Sequence, residues 1–157
     1  MSQVQFYEGQ ILLVAGQVAM DPACCCAPPG CVHCSGVTPT SLQVEIPADT
    51  LLEIDCGSCA ALNDTYILTG GGESCAWLYT FPTPICGVIN IEAWLVGEYW
   101  LYVRMNTQAG GWAIWGVDLG ATKPDCAAWS NLSVDWQWGP ADGCYMAAQD
   151  EVYVTAL

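Results

Sequence analysis

Cysteine is the residue type in this sequence with the most chemical potential, and five of the eleven cysteines fall within residues 24–34. Two pairs have the spacing of metal ligands, Cys31-x2-Cys34 and Cys56-x2-Cys59. Because each such turn can present two thiolates to one tetrahedral ion, these four residues are candidate zinc ligands. Zinc is the one cofactor that the sequence suggests, and the alternative is that the protein binds none.

We favour disulfide bonds over a single zinc site, because a zinc site would use only four of the eleven cysteines. The three adjacent cysteines at 24–26 must reach separate partners, because neighbouring Cα atoms are only ~3.8 Å apart. The later cysteines stand alone in the sequence, without a second metal ligand close by. The disulfide candidates are Cys24, Cys25, Cys26, Cys31, Cys34, Cys56, Cys59, Cys75, Cys86, Cys126 and Cys144. Since eleven is odd, at least one cysteine is free, bonded between chains or bound to metal.

The elements that must position these cysteines are β-strands. Apolar and polar residues alternate in 41–46, 88–95 and 99–105, and helical periodicity is almost absent. The last two segments join at Gly97-Glu98, which predicts a two-residue hairpin turn. We therefore expect an all-β fold, a disulfide-stapled antiparallel β-sandwich or jelly roll.

The first residues of the chain differ from the rest, because residues 1–23 contain no cysteine. We interpret 1–23 as an N-terminal arm or assembly strand that adds to the edge of a neighbouring sheet. An ordinary first strand of the same sandwich is an equal alternative. Residues 24–157 then form the cysteine-rich β-sandwich domain.

The charge balance limits the partners of this chain. It carries 16 acidic residues against two basic ones, Arg104 and Lys123, for a formal net charge of −14. Almost nothing is present to neutralise phosphates, so we expect no nucleic-acid partner. An anionic membrane surface would repel the chain, and no apolar run approaches the ~20 residues of a membrane helix.

The predicted site of synthesis conflicts with the cysteine content. The N-terminus lacks the basic and apolar regions of a secretory signal, which predicts synthesis in a cytosol. Disulfides persist in oxidising surroundings. A virion protein made in the host cytoplasm and released by lysis would satisfy both expectations.

A motif in residues 31–77 strengthens this interpretation. A C-x2-C pair precedes a predicted strand, and a second pair leads into "LNDTYIL" and then "CAW". The segment resembles cysteine-rich structural proteins of tailed bacteriophages and related environmental bacterial proteins. The matching residues are Cys31, Cys34, Cys56, Cys59, Leu62, Asn63, Thr65, Tyr66, Leu68, Cys75 and Trp77. The resemblance implies a virion or cell-surface role.

Catalytic signatures are weak, and we expect no enzymatic activity. The single histidine, His33, sits between two cysteines, which is poor placement for a catalytic triad. The glycine-rich run 69–74 lacks the lysine of a phosphate-binding loop. Acidic residues in or near predicted strands could act as a carboxylate pair, but any acidic β protein offers such residues.

The aromatic residues are the stronger indication of a binding site. Three short segments place aromatic side chains near one another on predicted strands, and these rings suit a subunit interface, a glycan site or core packing. The interface or glycan candidates are Trp100, Tyr102, Trp112, Trp115, Trp136 and Trp138.

The sequence therefore predicts a non-enzymatic virion structural protein of a tailed phage, which decorates or cements the capsid. Its partners would be a major capsid protein or a tail protein, and copies of itself in a homotrimer. One alternative is a tail, baseplate or fibre subunit. Another is an extracellular carbohydrate-binding β-sandwich, and a third is a cytosolic protein with a four-cysteine zinc site.

Overall fold

The computed structural model describes residues 4–7, 10–13, 30–48, 50, 53–54, 57–138 and 151–157. Within these ranges the chain forms β-strands and four short 3₁₀ turns, and it contains no α-helix. None of the described segments is a helix that is long and apolar enough to cross a membrane. The predicted all-β class is confirmed.

The described strands range from two to ten residues in length. They are β1 (Val4–Tyr7), β2 (Gln10–Leu13), β3 (Ser41–Glu45), β4 (Glu53–Ile54), β5 (Gly57–Ser58), β6 (Thr65–Gly71), β7 (Ala76–Ile85), β8 (Val88–Val96), β9 (Trp100–Thr107), β10 (Trp112–Asp118), β11 (Leu132–Val134), β12 (Trp136–Trp138) and β13 (Val152–Ala156). Strands β4 and β5 have two residues each, and β7, with ten, is longer than the short strands that the sequence predicts.

One antiparallel sheet contains nine of these strands, in the order β11-β13-β3-β6-β7-β8-β9-β10-β12. Its first and last strands, β11 and β12, are separated in the chain only by Asp135. Since β11 pairs with β13 and β12 pairs with β10, this short segment brings the two edges together. The predicted antiparallel, disulfide-linked fold is confirmed as one sheet that nearly closes on itself.

The interior of the curled sheet is the hydrophobic core. In β3, Leu42 and Val44 are fully buried, as their alternation with polar residues predicts. In β9, Leu101, Val103 and Met105 are buried in the same way. Full burial of a side chain of this kind stabilises the fold by roughly 1.5–3 kcal/mol.

Strand β8 departs from simple alternation at its start. Its pairing with β9 shifts between Val88 and Asn90, so that Val88 is fully buried and Ile89 is partly exposed. The sequence pattern predicts the opposite orientation for these two residues. A bulge inserts an extra residue into one strand and so changes which side chains face inward.

The turn between β8 and β9 also differs from the prediction. Val96 pairs with Trp100, and Gly97–Tyr99 forms a three-residue 3₁₀ turn in place of the two-residue Gly97-Glu98 turn. Tyr99 has a φ of 57°, in the left-handed region that non-glycine residues rarely adopt.

The N-terminal strands β1 and β2 pair with each other in a hairpin, in which Val4 opposes Leu13. They form a separate two-stranded sheet and are not hydrogen-bonded into the nine-stranded sheet. The predicted arm continues through residues 14–23, which lie outside the described residues. Its role in assembly remains a prediction.

Three disulfide bonds connect distant parts of the described chain, and their partners are 44, 92 and 27 positions apart in the sequence. The bonds are Cys31–Cys75, Cys34–Cys126 and Cys59–Cys86. Each of these pairs joins a cysteine of a C-x2-C motif to one of the isolated cysteines. The remaining disulfide candidates, Cys24, Cys25, Cys26, Cys56 and Cys144, lie outside the described residues.

These bonds correct the zinc prediction for the two C-x2-C pairs. Cys31, Cys34 and Cys59 are each bonded to a different cysteine, so their sulfurs are not free thiolates. A zinc site needs deprotonated thiolates that converge on one point. The fourth predicted ligand, Cys56, lies outside the described residues. The other three predicted ligands are in disulfide bonds and cannot bind zinc as thiolates.

Candidate functional site

The outer side of strands β8, β9 and β10 carries a group of half-buried aromatic side chains. The alternation that buries Leu101 and Val103 directs Trp100 and Tyr102 to the opposite side of β9. Trp94 of β8 and Trp112 of β10 are also only partly buried. We call the set Trp94, Trp100, Tyr102, Arg104 and Trp112 the aromatic face.

Three rings of the aromatic face lie nearly parallel. Trp94 is the cross-strand partner of Tyr102, and their ring centroids are 5.4 Å apart at an interplanar angle of 30°. Trp100 lies two residues from Tyr102 along β9, at 5.9 Å and 16°. Contacts of this kind between rings are favourable and hold their orientation.

A glycine makes room for the central ring. Gly116 of β10 is the cross-strand partner of Tyr102. A Cβ atom at Gly116 would lie 3.0 Å from Cε1 and 3.1 Å from Cδ1 of Tyr102. Any other residue at this position would therefore force the Tyr102 ring to move.

Polar side chains border the rings and are bonded to one another. Arg104 forms an ion pair with Glu92, and its Nε donates a 2.5 Å hydrogen bond to Glu92 Oε1. Asn106 Nδ2 donates to Asn90 Oδ1 at 2.7 Å and to Glu92 Oε1 at 3.1 Å. The Arg104 guanidinium carbon also lies 5.1 Å from the Trp94 ring centroid. The positive charge of Arg104 is thus balanced locally.

The structure divides the six predicted interface or glycan residues. Trp100, Tyr102 and Trp112 belong to the aromatic face. Trp112 lines a 420 Å³ groove there with Trp94, Tyr102 and Ile114.

The prediction that Trp115 is an interface or glycan residue is wrong, because its side chain is fully buried. It pairs with Val103 and shares the inner side of the sheet with it. It is therefore a core residue and not an interface or glycan residue. Trp136 and Trp138 are described by their backbone pairing alone, with Gly116 and Ile114 respectively, so their predicted role remains a prediction.

A second cavity adjoins the aromatic face at Trp100 and has a volume of 610 Å³. We call it the His33 cavity. It is lined by His33, Gly97, Tyr99, Trp100, Asp118, Gly120 and Ala121. These residues come from the first disulfide-bonded loop, the β8–β9 turn, the start of β9, and the end of β10 with the loop that follows it.

Two disulfides hold the loop that carries His33. Cys31 is bonded to Cys75 and Cys34 to Cys126, so both ends of the short turn around His33 are attached to other segments. The turn is closed by a 3.1 Å hydrogen bond from Cys34 N to Cys31 O. The two cysteines of this C-x2-C pair, which resembles a metal-binding motif, therefore hold one wall of the cavity in place through disulfide bonds.

The opposite side of the cavity is fixed by local backbone geometry. The left-handed conformation of Tyr99 allows it and the adjacent Trp100 to line the same cavity, and the Tyr99 and His33 ring centroids are 6.5 Å apart, edge to face. Asp118 Oδ1 accepts a 2.8 Å hydrogen bond from Gly120 N. Residues held in rarely populated conformations cluster at functional sites.

No metal centre stands out in the described part of the chain. No three His, Cys, Asp or Glu side chains there are grouped to hold a metal ion. Of the acidic residues near strands, Glu92 is engaged with Arg104, and Asp118 lines the His33 cavity. The arrangement suits binding through ring faces and a few polar groups.

Sequence reasoning missed Trp94, Gly116 and the position of His33. Trp94 falls on the outer side of β8 in the alternating pattern, so that pattern could have added it to the candidates. The contact between Gly116 and Tyr102 depends on the register of two strands, which the sequence does not specify. His33 is brought to Tyr99 by the disulfide pairing.

Comparisons with known proteins add no relative to this picture: no protein-family model, no curated protein and no solved structure matches the chain.

Proposed function

We propose that this protein is a non-enzymatic structural protein of a tailed-phage virion, made in the host cytoplasm, that decorates or cements the capsid. A tail, baseplate or fibre subunit is the alternative virion location. The observation that carries the proposal is the set of three disulfides, which connect segments 44, 92 and 27 residues apart. The resemblance of residues 31–77 to phage structural proteins supports the same role.

The disulfides suit a protein that must persist outside a cell. Each bond restricts the unfolded chain and typically stabilises the native state by about 2–4 kcal/mol. That contribution appears only once the protein has left reducing surroundings. A decoration protein has this history, since it assembles in a cytoplasm and is then exposed after lysis.

The aromatic face is the surface that we assign to docking. Tyrosine, tryptophan and arginine are enriched at protein interfaces and in their energetically dominant positions. Trp94, Tyr102 and Arg104 combine these types on one side of a rigid sheet. The partner would be a major capsid protein, a tail protein or another copy of this chain in a trimer.

Mass spectrometry of purified virions from the natural source tests the assignment. We expect peptides of this chain in a fixed ratio to the major capsid protein. We also expect the Tyr102→Ala variant to rebind stripped virions more weakly than the wild type. The matched control is Ile67→Ala, since Ile67 is 42% exposed and lies on β6, outside the aromatic face. Absence of the chain from purified virions would overturn the proposal.

An extracellular carbohydrate-binding protein is a second candidate, because of one specific observation. Trp94, Tyr102 and Trp100 form a row of nearly parallel, half-buried rings beside amide and carboxylate groups. Rings at the end of such a row can pack against the apolar C–H faces of sugars, while polar neighbours bond to their hydroxyls. Retention of the oxidised wild-type protein on a glycan array would support this candidate, and no retention of any glycan would remove it.

A further inference from the structure

The His33 cavity differs from the aromatic face because it is concave and combines rings with titratable groups. We propose that it binds one unit of an uncharged saccharide, with adjoining units extending past Trp100 towards Tyr102. This inference rests on the carbohydrate-binding candidate and deepens it. It holds equally for a virion surface protein and for a free carbohydrate-binding protein.

The size of the cavity suits a sugar ring. Its volume is 610 Å³, within the range of roughly 300–1,000 Å³ found for small-molecule sites. A bare metal ion or a small ammonium group would leave most of this space unfilled. A pyranose unit with its hydroxyls occupies far more of it.

The side chains that line the cavity suit both the apolar C–H face and the hydroxyl groups of a pyranose. Trp100 offers an apolar ring, which can stack on the C–H face of the sugar. Asp118 binds Gly120 N through Oδ1, which fixes the carboxylate and leaves Oδ2 to accept from a sugar hydroxyl. The imidazole of His33 supplies a nitrogen donor and a nitrogen acceptor when it is neutral.

The charge of the protein selects an uncharged ligand over an anionic one. The formal net charge is −14, and neither Arg104 nor Lys123 lines the His33 cavity. The nearest basic group of the aromatic face, Arg104, is already paired with Glu92. Sialylated or sulfated glycans would meet Asp118 with no Lys or Arg among the lining residues to offset the repulsion.

The walls are held in place before any ligand arrives. The Cys31–Cys75 and Cys34–Cys126 bonds fix the turn that carries His33, and the left-handed Tyr99 fixes the opposite side. A site that is ordered in advance loses less conformational entropy on binding, and this raises affinity. The same bonds make His33 placement dependent on oxidation.

Trp100 connects the cavity to the aromatic face. Trp100 lines the cavity, and its ring centroid lies 5.9 Å from that of Tyr102, which in turn lies 5.4 Å from that of Trp94. A linear saccharide that leaves the cavity past Trp100 meets the edges of these two rings in succession, because their faces are stacked on one another. The geometry therefore favours an oligosaccharide over a single sugar.

A glycan array that carries neutral, sialylated and sulfated glycans is the first test, followed by calorimetric titration with the strongest neutral glycan. We expect retention of neutral glycans and an affinity that changes little between low and high salt. Retention of only anionic glycans would overturn the proposal. A competing titration with tetramethylammonium chloride that displaces the glycan in a salt-dependent way would indicate an organic-cation site instead.

Variants locate the binding in the cavity. Asp118→Asn keeps an oxygen to accept from Gly120 N, and we expect it and His33→Ala each to weaken the neutral glycan roughly three- to tenfold, the equivalent of one hydrogen bond. Asp64→Asn is the control for Asp118, because Asp64 Oδ1 also accepts from a backbone N–H, that of Thr65. Val32→Ala is the control for His33, because Val32 is 62% exposed in the same disulfide-bonded turn.

The outcomes separate the two proposals. If the wild type binds no glycan, both the carbohydrate-binding candidate and the saccharide site are wrong. If the wild type binds glycan and the cavity variants match their controls, carbohydrate binding stands and the His33 cavity is not its site. Circular dichroism of each variant verifies that the sheet is intact.

Discussion

The inner and outer sides of strand β9 differ in how completely their large side chains are buried. On the inner side, Leu101, Val103 and Met105 are buried almost completely. On the outer side, Trp100 and Tyr102 remain half-buried in a row of parallel rings. Both sides are rich in large apolar area, yet only the inner side lies in the core.

The difference indicates what each side is for. Burial of the inner residues is the dominant favourable term in folding. The outer rings retain accessible area that folding alone would favour removing from water, and a partner can cover it. We therefore expect substitutions on the inner side to reduce stability and substitutions on the outer side to reduce binding.

The largest effect should come from Trp115→Ala on the inner side. Trp115 is fully buried, so the substitution loses its apolar contacts and leaves a cavity, at about 3–5 kcal/mol in the free energy of unfolding. Urea unfolding of the oxidised protein measures this loss. Trp100→Ala is the matched outer variant, and an equal loss there would erase the distinction between the two sides.

The next effect should come from removing the bond that anchors His33 to the later part of the chain. Cys34→Ala/Cys126→Ala opens a connection across 92 residues, which should cost about 2–5 kcal/mol. The same urea experiment measures it under oxidising conditions. With a reductant present, the wild type and the variant should unfold at similar denaturant concentrations, and a persistent difference would indicate lost packing.

A smaller loss of stability should follow from substitution of Gly116 on the outer side of β10. Gly116→Ala places a Cβ about 3.0 Å from Tyr102 Cε1, so we expect a loss of about 1 kcal/mol as the ring moves. In a Tyr102→Ala background, the same substitution should be neutral or slightly stabilising, because glycine is intrinsically unfavourable in strands. A double-mutant cycle measures the coupling, and additivity would contradict the contact.

The smallest effect at neutral pH concerns an inner tyrosine. Burial raises the pKa of Tyr66 from 10.0 to about 12, with smaller contributions from Asp64 and Tyr79. Because the unfolded chain ionises first, the stability tied to neutral Tyr66 is intact below pH 10 and is lost as the pH rises towards 12. Phenolate absorbance should show one late step that disappears in Tyr66→Phe.

The inner side could be predicted from the sequence wherever simple alternation held. Leu42 and Val44 follow it, because the side-chain period of a strand is two. Val88 does not, because a register shift in β8 reverses its direction, and such shifts depend on the partner strand. Trp115 could have been separated from Trp112, since residues three apart in a strand face opposite sides.

The outer site was only partly predictable. Trp100 and Tyr102 are identified by alternation within β9. The His33 cavity is not, because its walls meet through disulfides between residues 44 and 92 positions apart. Cysteine spacing alone cannot give connectivity, and the C-x2-C pairs therefore resembled a zinc site.

The most direct test of the central claim is hydroxyl-radical footprinting of the tryptophans, with and without purified virions or a bound neutral glycan. The account predicts that Trp94 and Trp100 are oxidised readily in the free protein, whereas Trp77 and Trp115, which are 1% and 0% exposed, are protected. Addition of the partner should protect Trp94 and Trp100. Strong oxidation of both residues in the partner-bound state would contradict the claim that this side of the sheet is the recognition surface.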